Sequence, residues 1–182
     1  MEIANIIIKM LWLMLPAYLS NPAAALSVAM AGAGIPIDQG KYYKGHRIFG
    51  EGKTCKGLFS GILFGVFVGI LQNIINIEFL GRSMPNFNFL SIITMPTGAM
   101  LGDLTASFFK RRFGMERGQL FPLVDQLDFV AGAWIITILF DKGWFLHNFK
   151  IDIIISALVL TPILHRLVNV IGYKIGVSKE PW

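Results

Sequence analysis

Residues 102–128 read GDLTASFFKRRFGMERGQLFPLVDQLD, and they lie between two apolar runs. The first run, 87–100, ends just before Asp103, which places that carboxylate near membrane depth. Ser107 follows four residues later, then the cations Lys110, Arg111 and Arg112, a loop holding Gly and Pro, and the aspartates Asp125 and Asp128. Three carboxylates and three consecutive cations between two membrane-grade segments require a role beyond packing.

Working outward, the same alternation of long apolar runs and short polar loops fills all 182 residues. Hydrophobic residues make up 54% and charged residues 15%, against roughly 25% charged in soluble domains. Composition therefore weighs against a soluble globular domain, and one all-α, polytopic membrane domain over 1–182 is expected. Apolar runs at 3–20, 58–77, about 87–109, about 127–146 and about 151–168 predict five transmembrane helices, each near the ~20 residues that a bilayer requires. Residues 23–34, after a break or kink at Asn21-Pro22, either extend the first helix or pack against its neighbours. Pro96, Gly98 and Gly102 are expected to bend the third span. Gly57, Gly61, Gly65 and Gly69 recur every four residues, a stripe for close helix contact. The N-terminal run shows no small-residue cleavage site and reads as a retained span.

Two polar loops remain, about 35–57 and 110–126. The first holds five lysines and arginines and the second four; the last span and its tail, with Arg166, Lys174 and Lys179, add three. Four of the sixteen, Lys9, Arg82, Lys142 and Lys150, are left for the other side. The positive-inside rule then expects the N-terminus outside, and both loops and the C-terminus in the cytoplasm. The net charge of +5 fits such loops facing lipid headgroups rather than nucleic acid. The single cysteine, Cys55, rules out a disulfide framework and a Cys-based metal site.

Asp103 carries the sharpest chemical signal. A carboxylate well inside hydrocarbon costs about 2.5–3.5 kcal/mol on insertion scales, so it faces protein or water. On a helix it shares a face with Ser107, and Lys110 and Arg111 continue that face. Asp125 and Asp128, three apart, also share a face. Such carboxylates beside cations suit a hard divalent ion such as Mg²⁺ together with phosphate. Two plainer readings stand beside this one: Asp125 and Asp128 cap the fourth span, and Asp103 forms an internal ion pair. The loop 50–57, GEGKTCKG, lacks the spacing and preceding strand of a phosphate-binding P-loop. Gly52, Lys53, Thr54 and Lys56 still offer backbone amides, a hydroxyl and two point charges to an anion, or else to anionic lipid. His46, His147 and His165 are scattered and read as structural.

The chain resembles the archaeal CDP-archaeol synthases, relatives of the CDP-diacylglycerol synthases. The resemblance runs through Pro16-Ala17-Tyr18, Asn21, Pro36-Ile37-Asp38 and Gly50-Glu51-Gly52-Lys53-Thr54. It continues through Gly102-Asp103-Leu104, the segment 107–112, and 122–128 with Asp125 and Asp128. Against the diacylglycerol branch, Glu116-Arg117 stands in place of a Lys-Asp pair, and a Gly-His-Gly-Gly run is absent. The resemblance implies a Mg²⁺-dependent cytidylyltransferase that joins CTP to the phosphate of an unsaturated isoprenoid ether lipid, within the lipids of the membrane, and releases pyrophosphate. It implies Asp103, Asp125 and Asp128 as metal ligands. Lys53, Lys56, Lys110, Arg111 and Arg112 would meet phosphates, and Thr54, Ser107 and the glycine-loop amides, Gly52 among them, would add hydrogen bonds. Asn21 and Asp38 would shape the site. The rival readings are a small ion- or proton-coupled transporter using Asp103, and a CDP-alcohol phosphotransferase, whose Asp-Gly-x-x-Ala-Arg element is missing.

Overall fold

The five apolar runs become five helices in the computed structural model, which describes residues 2–32, 34–116 and 118–177. They are α1 (Glu2–Ala31), α2 (Cys55–Glu78), α3 (Phe89–Arg112), α4 (Val124–Asn148) and α5 (Ile151–Lys174). The shortest have 24 residues, about 36 Å at 1.5 Å per residue, enough for a hydrocarbon core of about 30 Å. All five are long and apolar enough to cross a membrane. The only strands among the described residues are the two-residue β1 (Tyr42–Tyr43) and β2 (His46–Arg47), an antiparallel hairpin in the first polar loop. Arg117, Lys179 and Trp182 lie outside the described residues.

Large apolar side chains face outward from the bundle, as lipid demands: Phe59, Leu63 and Phe67 on α2, Leu139 and Phe140 on α4, Val159 and Ile163 on α5. The interior is lined by Met10, Leu13, Met14 and Ala17 of α1, Met95 and Ala99 of α3, Val130 and Ala133 of α4, and Ala157 of α5.

With no hydrophobic effect to drive helices together inside lipid, close backbone approach through small residues becomes the main source of packing. The α2 stripe serves this purpose, and Gly57, Gly61, Gly65 and Gly69 are all buried. A Cβ at Gly65 would stand 2.4 Å from Pro96 Cβ and 2.9 Å from the Pro16 carbonyl, so α1 and α3 both press on this face. A second glycine contact joins α3 to α4. A Cβ at Gly102 would stand 2.2 Å from the Asp128 carbonyl oxygen, and one at Gly132 2.2 Å from that of Gly98. Gly98 and Gly102 therefore act as contact surface, and α3 remains one helix through Pro96.

α1 continues through Asn21-Pro22 to Ala31, so residues 23–31 extend the first helix. The break in the bundle falls instead at Asp141, whose backbone leaves the helical region (φ −147°, ψ 58°). Its carboxylate accepts from Trp144 N at 3.3 Å, capping the short segment that follows, and from Asn88 Nδ2 at 2.7 Å. At this end of the bundle the amides of Asn73 and Asn76 bond the backbone of Phe87 and Met84 in both directions, satisfying groups that lipid could not. Trp12 and Trp144 donate to the carbonyls of Pro85 and Asn86 in the same connection.

Candidate active site

The opposite end of the bundle gathers both polar loops. Residues 34–54 are folded by local hydrogen bonds. Pro36 bridges to Thr54, Ile37 N donates to Lys53 O at 2.9 Å and Cys55 N to Ile35 O at 2.9 Å. Asp38, buried at 4% exposure, is the hub. It accepts from the backbone N–H groups of Gly40, Phe49 and Gly50 at 3.1, 3.1 and 3.0 Å, and it pairs with the Arg47 guanidinium. The positive φ of Gly50, +90°, is what a glycine permits at this turn.

Burial alone would push the Asp38 carboxyl up. The Arg47 hydrogen bond and the three backbone N–H groups outweigh it and lower the group from 3.8 to about 2. A carboxyl depressed in the folded state stabilises above its unfolded pKa and ceases to as pH falls through the folded one, here from about 4 to about 2. The shift is worth about 2 kcal/mol. Asp38→Asn is therefore expected to speed amide exchange across residues 39–50 at neutral pH, and the difference from wild type should vanish as pH falls to about 2.

Arg112 staples this loop to α3. Its guanidinium lies 5.1 Å from the ring centres of both Tyr43 and Phe108. It donates to the Tyr43 carbonyl and to the His46 and Arg47 carbonyls at 3.3 and 2.7 Å. Other cations from the sequence are similarly engaged. Lys56 Nζ bonds the carbonyls of Ala31 and Gly32 at 2.6 and 3.2 Å, at the end of α1. Lys110 Nζ grips both oxygens of Asp125 at 3.0 and 2.9 Å. Arg111 donates to the Met115 carbonyl and packs beside Gly50. Thr54 caps α2 by accepting from Gly57 N at 3.1 Å. Ser107 is buried one turn beyond Asp103.

Lys53 is placed differently. Its ammonium lies 2.5 Å from Asp103 Oδ2, with both side chains about a quarter exposed. The pair sits in a cavity of about 750 Å³ whose wall also carries Asn21 and Val28 of α1, Gly52, and His165 of α5. That volume is within the range of small-molecule sites.

The three aspartates separate into two kinds. Asp125 is held by Lys110 and by Phe121 N, at 2.9 Å, and it joins the end of α3 to the start of α4. Asp128 lies within electrostatic reach of Asp103 and Lys53, because the Gly102 contact presses α3 against its backbone. Among the described residues no group of three His, Cys, Asp or Glu side chains is arranged to hold a metal ion. Mg²⁺, however, takes one or two carboxylates and completes its shell with water and substrate phosphate. Asp103 and Asp128, on facing helices beside a lysine, fit that requirement.

His165 was not legible as a site residue. It reaches the cavity through the docking of α5 on α1, which no spacing in the sequence records.

A solved intramembrane enzyme for archaeal membrane lipid biosynthesis has a similar fold. It superposes with a TM-score of 0.71 at 32% identity, covering 90% of this chain and 94% of its own. The bundle is thus that of a polytopic intramembrane enzyme of lipid synthesis. A family model described as CarS-like, CDP-archaeol synthase, matches residues 3–182, and the chain belongs to that family. CDP-archaeol synthases of Methanosarcina acetivorans and Methanospirillum hungatei are 50% and 48% identical to it, each over 93% of this chain and 100% of its own length. The chain is accordingly a membrane cytidylyltransferase, and the transporter reading is not favoured.

Proposed function

We propose that the cavity binds CTP with Mg²⁺ beside an isoprenoid ether-lipid phosphate, and that Lys53 and Asp103 divide the two opposite charges of that assembly. The observation that carries this reading is the Lys53–Asp103 pair, about a quarter exposed on the cavity wall. An oxygen of the lipid phosphate attacks the α-phosphorus of CTP. A P–O bond forms to the lipid, the P–O bond to the β-phosphate breaks, and pyrophosphate leaves. The attacking group is already anionic, so no strong general base is required. The protein's work is alignment and charge compensation.

In this scheme Asp103 and Asp128 would hold Mg²⁺, which when bound would supply electrostatic relief to the triphosphate. Lys53 gives up Asp103 and takes a phosphate oxygen as a point charge. Gly52 and Asn21 border the nucleotide. Lys110 and Asp125 fix the position of Asp128 by locking the end of α3 to the start of α4, and Arg112 keeps the first loop seated over the cavity. Arg111, Lys56, Thr54 and Ser107 support the same frame. The loops and the end of α5 carry most of the cations, so this end faces the cytoplasm, where CTP is made, and the N-terminus lies outside.

Purified protein given CTP labelled at the α-phosphate and geranylgeranylated glyceryl ether phosphate should form labelled CDP-lipid. EDTA should abolish the product and added Mg²⁺ restore it. Product formed equally in EDTA would overturn the metal assignment. No product with any divalent cation would overturn the substrate assignment.

A further inference from the structure

His165 borders the cavity that holds Lys53 and Asp103, and its ring is held in place from several sides. It stacks on Phe129 at 6.0 Å between centres and 24° between planes. Phe129 is itself buried at 4% exposure, one residue after Asp128, and meets the Tyr18 ring edge-on at 5.8 Å. One turn before His165, the hydroxyls of Thr161 and Tyr18 bond at 2.7 Å, pinning α5 to α1.

The ring's two nitrogens have separate fates. Asn169 Nδ2 lies 3.3 Å from His165 Nδ1. An amide nitrogen only donates, so Nδ1 accepts, and the neutral imidazole then carries its proton on Nε2. The imidazolium would carry one there as well. In either state Nε2–H is the donor that remains, on a rigid ring at the wall of a cavity read above as a phosphate-transfer site.

The side of the cavity matters. Lys53 enters from the first polar loop, whereas His165 comes from α5, whose Leu158, Val159, Ile163, Leu167 and Val168 face outward to lipid. A phosphate monoester carried on apolar chains approaches from the bilayer, whereas a nucleotide approaches from the loops. We infer that His165 donates a hydrogen bond from Nε2 to the phosphate of the lipid substrate, fixing the attacking phosphate against the α5 wall. The inference rests on the function proposed above, since it presumes that this cavity receives a phosphorylated lipid.

The experiment uses the full chain in detergent micelles. Equilibrium binding of radiolabelled geranylgeranylated glyceryl ether phosphate is measured without CTP, alongside steady-state kinetics varying each substrate. His165→Phe keeps the stack on Phe129 and removes the donor; His165→Gln restores an amide N–H. For His165→Phe the lipid-phosphate Kd should rise about tenfold to a hundredfold, the range of a hydrogen bond to a charged acceptor. The KM for CTP should stay within about twofold, and the thermal midpoint should be retained. His165→Gln should recover most of the lipid affinity. Unchanged lipid affinity in His165→Phe overturns the contact. A rise confined to the KM for CTP overturns its assignment to the lipid, and a Gln variant as impaired as Phe overturns the donor role. Turnover separates this from the parent reading: His165-dependent lipid binding with no CDP-lipid made by the wild type overturns the reaction, not the contact.

Discussion

Asp103→Asn is expected to lower kcat/KM for CDP-lipid formation by about a thousandfold while leaving the fold intact. The substitution keeps size and shape but removes the charge that faces Lys53 at 2.5 Å and that, with Asp128, would hold the divalent ion. Loss of one preorganised electrostatic partner costs a factor of about a hundred to a thousand, and loss of a metal ligand belongs at the upper end. Stability should hardly change, because both partners of the pair are about a quarter exposed, and such pairs contribute about 1 kcal/mol or less. Asp103→Glu restores the charge but advances the carboxylate by one methylene, and a displacement of about 1 Å costs about a hundredfold. Steady-state kinetics and thermal melting of the two variants in detergent check this. Turnover by Asp103→Asn near the wild-type rate would remove Asp103 from the reaction.

Gly132→Ala should damage the protein by a different route. Its new Cβ would stand 2.2 Å from Gly98 O, 2.6 Å from Gly102 Cα and 2.8 Å from Gly102 N. These are backbone atoms of a helix, so no rotamer change relieves the clash, and α3 and α4 must part. Overpacking of a tight site costs about 1–3 kcal/mol, and a clash against backbone lies at the top of that range. For a chain of this size the thermal midpoint should fall by about 6–12 °C. Activity should fall further than stability does, since the same contact brings Asp103 and Asp128 together. Gly143→Ala is the control: nothing lies within 4 Å of the position its Cβ would take, and alanine is the better helix former. A Gly132→Ala protein that melts and turns over like wild type would show that the crossing is not tight.

The five spans and the α2 glycine stripe were legible because each is written within one segment: a run of apolar residues, or a period of four. The α3–α4 crossing was not, since it needs Gly98 and Gly102 on one helix and Gly132 on another, and the nearby Pro96 pointed to a bend. The same limit applies to the charges. The sequence places Lys53, Lys56, Lys110, Arg111 and Arg112 near each other, but three of them turn to backbone carbonyls, and a carbonyl leaves no mark in the sequence. Asp103 was readable as an ion pair or a ligand because an isolated carboxylate at membrane depth demands a partner; that the partner is Lys53 depends on how loop 34–54 folds around Asp38.

The docking of α5 has a consequence for the order in which the chain is made. Chains emerge from the ribosome N-terminus first, at about 5–20 residues per second. The glycine contacts that join α1 to α2 and α3 to α4 involve no residue of α5. α5 then supplies His165, Gly176 and Val177 to the cavity wall, with Thr161 as its fastening to Tyr18. The contacts that hold α1 to α4 together thus do not depend on α5, whereas the cavity lacks one wall until α5, the last helix to emerge, has docked on α1.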